Sequence, residues 1–131
     1  MGRACVISFL LVILAGCGDG KSAPPTPPAV TSSTGDPRAA IFINKGCPQC
    51  HSISALGIKS QAEVGPDLGG AYEDVRTRFG MKLEDFLVTP TGTMQVVLSS
   101  LIKLTPAERD SIIHILKGLH EEREERAEGK H

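Results

Sequence analysis

The longest unbroken apolar stretch of the chain lies at its start. Residues 6–15, VISFLLVILA, hold only Ser8 as a polar position. Ten residues are too few for a bilayer crossing, which needs about 20. Residues 18–36, GDGKSAPPTPPAVTSSTGD, then carry no apolar period at all. A segment so rich in Pro, Gly, Ser and Thr cannot bury enough surface to offset its ordering entropy. From residue 37 the period becomes helical. Asp36 before Pro37 reads as a cap with proline in the first turn, and Ala39, Phe42, Ile43 and Gly46 follow at helical spacing. Shorter helices are expected over 70–79 and 82–88, the second presenting Leu83, Phe86 and Leu87 and stopped by Pro90. Thr105-Pro106-Ala107-Glu108 is a capping box with proline at the first position. Behind it Ile112, Ile115, Leu116 and Leu119 form one apolar stripe. No run alternates with period two. The expectation is an all-α domain over 37–120, with irregular loops at 51–69 and 89–96 of a length that in a small domain usually wraps something. A charged tail, 121–131, extends the last helix by a turn or two.

Composition sharpens this picture in two ways. The 131 residues include only four Phe, one Tyr and no Trp. A small domain whose aromatics are Phe42, Tyr72, Phe79 and Phe86 needs something else to fill its core. Residues 37–120 hold nine Lys and Arg against eight Asp and Glu. That near-balance excludes the broad basic surface of a nucleic-acid binder and gives no support to strong charge steering.

The N-terminal pattern is that of an address. Arg3 is the only charge before Asp19, and the apolar run ends in Leu14-Ala15-Gly16-Cys17. A charged start, a short apolar run and small residues describe a secretory signal. The last four residues resemble the lipobox of bacterial lipoproteins. That resemblance implies a signal peptide at 1–16, removal of Cys5, and lipid on Cys17, which becomes the first residue of a flexible tether over 17–36. The protein is then expected outside the cytoplasm, lipid-anchored to a membrane and facing the periplasm or the outer side of the cytoplasmic membrane.

The chemistry is concentrated in Cys47-Pro48-Gln49-Cys50-His51. C-x-x-C-H is the spacing of a covalent c-type haem site. Two thiols three residues apart on a helical turn reach the two vinyl groups of one porphyrin, and the next residue points its imidazole at the iron. Two other readings share these residues. A Cys-Pro-x-Cys pair also resembles a thioredoxin-like dithiol, but that fold needs strands around the motif, and here the flanks are helical. A zinc site needs further ligands at close spacing, and His114 and His120 lie far along the chain.

With CPQCH, the loop Gly65-Pro66-Asp67-Leu68-Gly69, a methionine segment and a last helix opened by Leu104-Thr105, residues 37–120 resemble a small class I cytochrome c. The resemblance implies helices wrapped around one covalently attached haem c. Cys47 and Cys50 would form the thioethers and His51 the proximal iron ligand, with the Pro66 carbonyl accepting from the imidazole. Met94, in Thr89-Pro90-Thr91-Gly92-Thr93-Met94, holds the place of the family's sixth ligand and is expected on an extended loop. Met81 is the alternative thioether, with core filling its simpler role. Two departures stand out: Gln95 follows Met94 where Pro is common, and Ile115 replaces an aromatic that packs on the first helix. The implied activity is single-electron transfer between redox partner proteins by a non-enzymatic, monomeric domain. A gas-binding or catalytic haem with a displaceable sixth ligand, and a fixed redox subunit of a membrane complex, are the alternatives.

Overall fold

The computed structural model describes residues 35–130. The expected signal segment 1–16, Cys5, Cys17 and most of the tether lie outside these residues. The described chain is all-α, with α1 at Ala39–Asn44, α2 at Ala71–Phe79, α3 at Leu83–Val88, α4 at Thr93–Val96 and α5 at Pro106–Glu128. The only extended pairing among the described residues is one isolated antiparallel bridge between Ile53 and Ile58. No helix there is long and apolar enough to cross a membrane.

Local chemistry accounts for the helix ends. Asp36 Oδ1 accepts from the Arg38 N–H at 2.9 Å and Ala39 N–H donates to the Asp36 carbonyl, but these close a turn ahead of α1, whose N-cap is Arg38 without a side-chain cap bond rather than the expected Asp36. Gly46, at φ 74°, turns the chain out of α1 and into a 3-10 turn over Cys47–Gln49. The Thr105–Glu108 capping box is complete, with Glu108 N–H donating to Thr105 Oγ1 and Thr105 N–H to Glu108 Oε2. Lys45 binds both the Glu108 carboxylate (2.7 Å) and the Lys103 carbonyl (3.0 Å), which ties the end of α1 to the start of α5.

The core forms where α1 meets α5. Ala39 and Phe42 lie under Ile112, Leu116 and Leu119, joined by Val75 of α2 and by Leu83 and Phe86 of α3. Phe42 is fully buried, and Ile115 is half-buried against the same cluster. The aliphatic Ile115 therefore still reaches this core.

Three expectations change. The 51–69 segment is structured: Ser54–Leu56 and Leu68–Gly70 are 3-10 turns, and Ile53, Leu56 and Ile58 are among the most buried side chains. The 89–96 segment is not an extended loop. After Gly92 (φ 60°) it forms α4 and then a π-helical turn over Val97–Leu101. A helix of four residues is shorter than two turns, so no apolar period could announce it. Phe79, counted among the core aromatics, is 48% exposed and rests on Phe86 with ring centres 5.1 Å apart.

The boundary at residue 120 is not a break in structure. α5 runs on to Glu128, and Glu122 pairs with Arg38.

Candidate functional site

The Cys-x-x-Cys-His segment is one tight turn. The Cys47 carbonyl accepts from both the Cys50 N–H (3.2 Å) and the His51 N–H (3.0 Å). Pro48, between the cysteines, is fully buried and pins the turn to the domain. Cys47 is half-buried and Cys50 exposed, and both are free thiols. Burial pushes the Cys47 thiol up to about 11, assisted by Cys50 and opposed by Lys45. A thiol so placed stays protonated at neutral pH, unlike the low-pKa thiolate of a dithiol oxidoreductase.

A second strand of backbone lines this turn. Gln61 N–H donates to the Pro48 carbonyl (3.0 Å), Gly65 N–H to that of Cys50 (2.8 Å), and Leu68 N–H to that of Ser52 (2.8 Å). The pairing delivers Pro66 to His51: Nδ1 lies 2.7 Å from the Pro66 carbonyl oxygen. A carbonyl only accepts, so Nδ1 carries the proton of this bond and Nε2 is the nitrogen left free to face a ligand. Gly65 makes the approach possible. A Cβ there would sit 2.4 Å from both Cε1 and Nδ1 of His51. Sequence reasoning quoted Gly65 only as part of the loop; the glycine preceding Pro66 was the available signal.

Asp67 holds the loop's far side. Its carboxylate accepts from the Ser54 N–H (3.0 Å), the Ser54 hydroxyl and the Gly69 N–H (2.7 Å). Burial pushes its pKa up, but the Ser54 and Gly69 hydrogen bonds, helped by the nearby His51, outweigh that and leave it below its ordinary 3.8. Ser54 was not anticipated from the sequence, because nothing local marks its partner thirteen residues away. A carboxyl with a depressed folded-state pKa stabilises fully above its unfolded value, and the gain is lost as pH falls through the folded one. Lowering the pH below about 4 should therefore destabilise the native chain more steeply than Asp67→Asn. Urea midpoints between neutral and acid pH check this; parallel curves would refute it.

Met94 stands in the first turn of α4, half-buried, packed on the same core cluster that takes Cys47 and Met81. The structure thus brings Cys47, Cys50, His51 and Pro66 into one turn-and-loop unit. It carries Met94 on a separate element, and both methionines share the core contact. Beside these segments several large apolar side chains lie open, including Val64 next to Gly65, and Val96 and Leu101 beyond Met94; Val64 and Leu101 are each 75% exposed. Among the described residues no group of three or more His, Cys, Asp or Glu is placed to hold a metal ion as a closed zinc site would.

No protein-family model, curated protein or solved structure matches the chain.

Proposed function

We propose that this protein is a monohaem c-type cytochrome that carries single electrons, exported and held to a membrane by lipid on Cys17. The observation that supports it most is the 2.7 Å contact of His51 Nδ1 with the Pro66 carbonyl, directly after the Cys-x-x-Cys turn. That contact fixes the tautomer a metal-ligating histidine needs and makes Nε2 the better donor.

The residues present fit the group on three counts. The donor set is two free thiols, one oriented imidazole and a thioether from Met94 or Met81, the set for thioether attachment with His/Met ligation. Gly65 leaves the imidazole a space that any side chain would fill. The open apolar side chains near the site offer a wall for a flat apolar body. When bound, haem supplies reversible one-electron chemistry at its iron, and His/Met ligation raises its potential.

The chain's own residues have distinct roles in this reading. Cys47 and Cys50 hold the group in place, Cys47 from the half-buried side and Cys50 from the open side. His51 would supply one iron ligand, its proton kept at Nδ1 by Pro66. Met94 would supply the other, with Met81 filling the core. Asp67, through Ser54 and Gly69, keeps the Pro66 loop in register. The tether of residues 18–36 spans at most about 60 Å, which sets how far from the lipid the domain can meet its redox partners.

The test is the full chain matured in a host that makes c-type cytochromes. Covalent haem should survive denaturation, and Cys47→Ser with Cys50→Ser should abolish it. The oxidised protein should show a methionine-to-iron charge-transfer band that disappears in Met94→Ala and persists in Met81→Ala. Absence of covalent haem would overturn the whole reading. A high-spin, carbon-monoxide-reactive native protein would leave the haem but overturn Met94 as ligand.

A further inference from the structure

The stripe of α5 that faces the core does not end with the core. Ile112, Leu116 and Leu119 continue at steps of four and three residues into Arg123 and Arg126. The first three are buried; the arginines extend past the apolar cluster on the same side of the helix. There they overhang a groove of about 450 Å³, bordered across from them by the Pro66–Gly70 loop and by Asp74 and Arg78 of α2.

Three guanidinium groups thus meet at one groove, brought from two helices, and most of their donors are unspent. Arg126 gives only Nε, to the Glu122 carbonyl at 3.0 Å. Arg123 gives one Nη to His120 Nδ1 at 3.3 Å. Arg78 Nε stands 3.7 Å from Asp74 Oδ1, too far for a hydrogen bond. Two carboxylates share the groove, and Asp67 already accepts from Ser54 and Gly69. Three positive charges therefore face two negative ones, and the loose Arg78–Asp74 pair is the only close partnership between them. The outer surface of the same helix end carries Glu121, Glu124, Glu125 and Glu128, so the cationic side is a local feature of a segment that is acidic elsewhere.

We infer that this groove binds a soluble oxyanion of the phosphate or carboxylate type, clamped by Arg78, Arg123 and Arg126. Guanidinium forks match the paired oxygens of such groups, and charge-assisted bonds there are stronger than neutral ones. The groove volume admits a small anionic molecule rather than a folded segment. Pro66 forms part of its edge, so the groove adjoins the loop that holds His51. The inference rests on the groove alone and stands apart from the cofactor reading.

The experiment titrates inorganic phosphate into the full-length, matured protein at constant ionic strength set with chloride, following backbone amide shifts. Saturable shifts at Gly69, Gly70 and the start of α2 are expected. Arg123→Gln should weaken phosphate about tenfold, and Arg126→Lys should weaken it less by keeping the charge without the fork. Helical content by circular dichroism, unchanged in both variants, separates loss of the site from loss of the helix. Shifts that grow linearly without saturation, or an affinity unaltered in Arg123→Gln, would mean an adventitious ion only and overturn the site. Vesicles of anionic phospholipid form a second arm: arginine-dependent binding to them with free phosphate inert would place the chemistry on a membrane and overturn the soluble ligand.

Discussion

Gly65→Ala is expected to dislodge His51 from the Pro66 carbonyl and so to damage the candidate site more than any other single-methyl change. The added Cβ would lie 2.4 Å from Cε1 and Nδ1 of the ring and 2.9 Å from Nε2. Ordinary contact begins near 3.4 Å, so the ring or the loop must retreat by about 1 Å. Retreat of the loop strains the Gly65–Cys50 hydrogen bond at 2.8 Å; retreat of the ring lengthens the 2.7 Å Nδ1 contact beyond bonding. Loss of such a supporting bond typically weakens metal ligation by about 10–100-fold. Histidine 15N shifts should show the Nδ1 proton no longer locked, and, on the proposed haem reading, the oxidised haem-loaded protein should gain high-spin character. Gly118→Ala is the matched control, since no atom lies within 4 Å of its added Cβ. That change, inside α5, should stabilise the fold by about 0.5–1 kcal/mol through lost chain entropy. If Gly65→Ala leaves the His51 signals where they are, the close approach does not govern the site.

Phe42→Ala is expected to cost about 3–5 kcal/mol, the range for emptying a large buried aromatic. Phe42 is fully buried and is the aromatic that α1 places under Ile112, Leu116 and Leu119. With a total stability of order 5–15 kcal/mol for a domain of this kind, the loss consumes a large part of the whole. The remaining core is aliphatic apart from Phe86, so little nearby can swing in to fill the space. Urea unfolding should show a much lower midpoint with an unchanged slope. Phe79→Ala, at a ring 48% exposed, should cost far less. Near-equal losses for the two phenylalanines would contradict this account of the core.

The helices at either end were legible because their signals are local. Asp36 closes its turn before α1 on Arg38, Thr105 and Glu108 cap α5 within three positions of each other, and the stripe from Ile112 to Leu119 repeats often enough to show its period. The Cys-x-x-Cys-His turn was legible for the same reason, since five adjacent residues carry it. The internal order of 51–69 was not. Ile53, Leu56 and Ile58 have no helical or alternating run around them, and their burial depends on a bridge and on turns closed by distant partners. Met94 follows the helix stop at Pro90, which points to an extended loop, whereas Gly92 swings the chain into α4.

By itself the sequence determined the all-α character of the domain, the cap of α5, the cysteine–histidine turn and the near-neutral charge. Each follows from residue types a few positions apart, whose interactions the chain meets before any tertiary contact forms. Only the tertiary structure decided the rest. It set Pro66 on His51 through backbone bonds from Gly65 and Leu68, and it made Gly65 indispensable by packing an imidazole onto it. It also opposed Arg123 and Arg126 to Arg78 across a groove. Those placements join residues fourteen to nearly fifty positions apart, and bringing them together depends on how the segments pack across the domain, which no local pattern encodes.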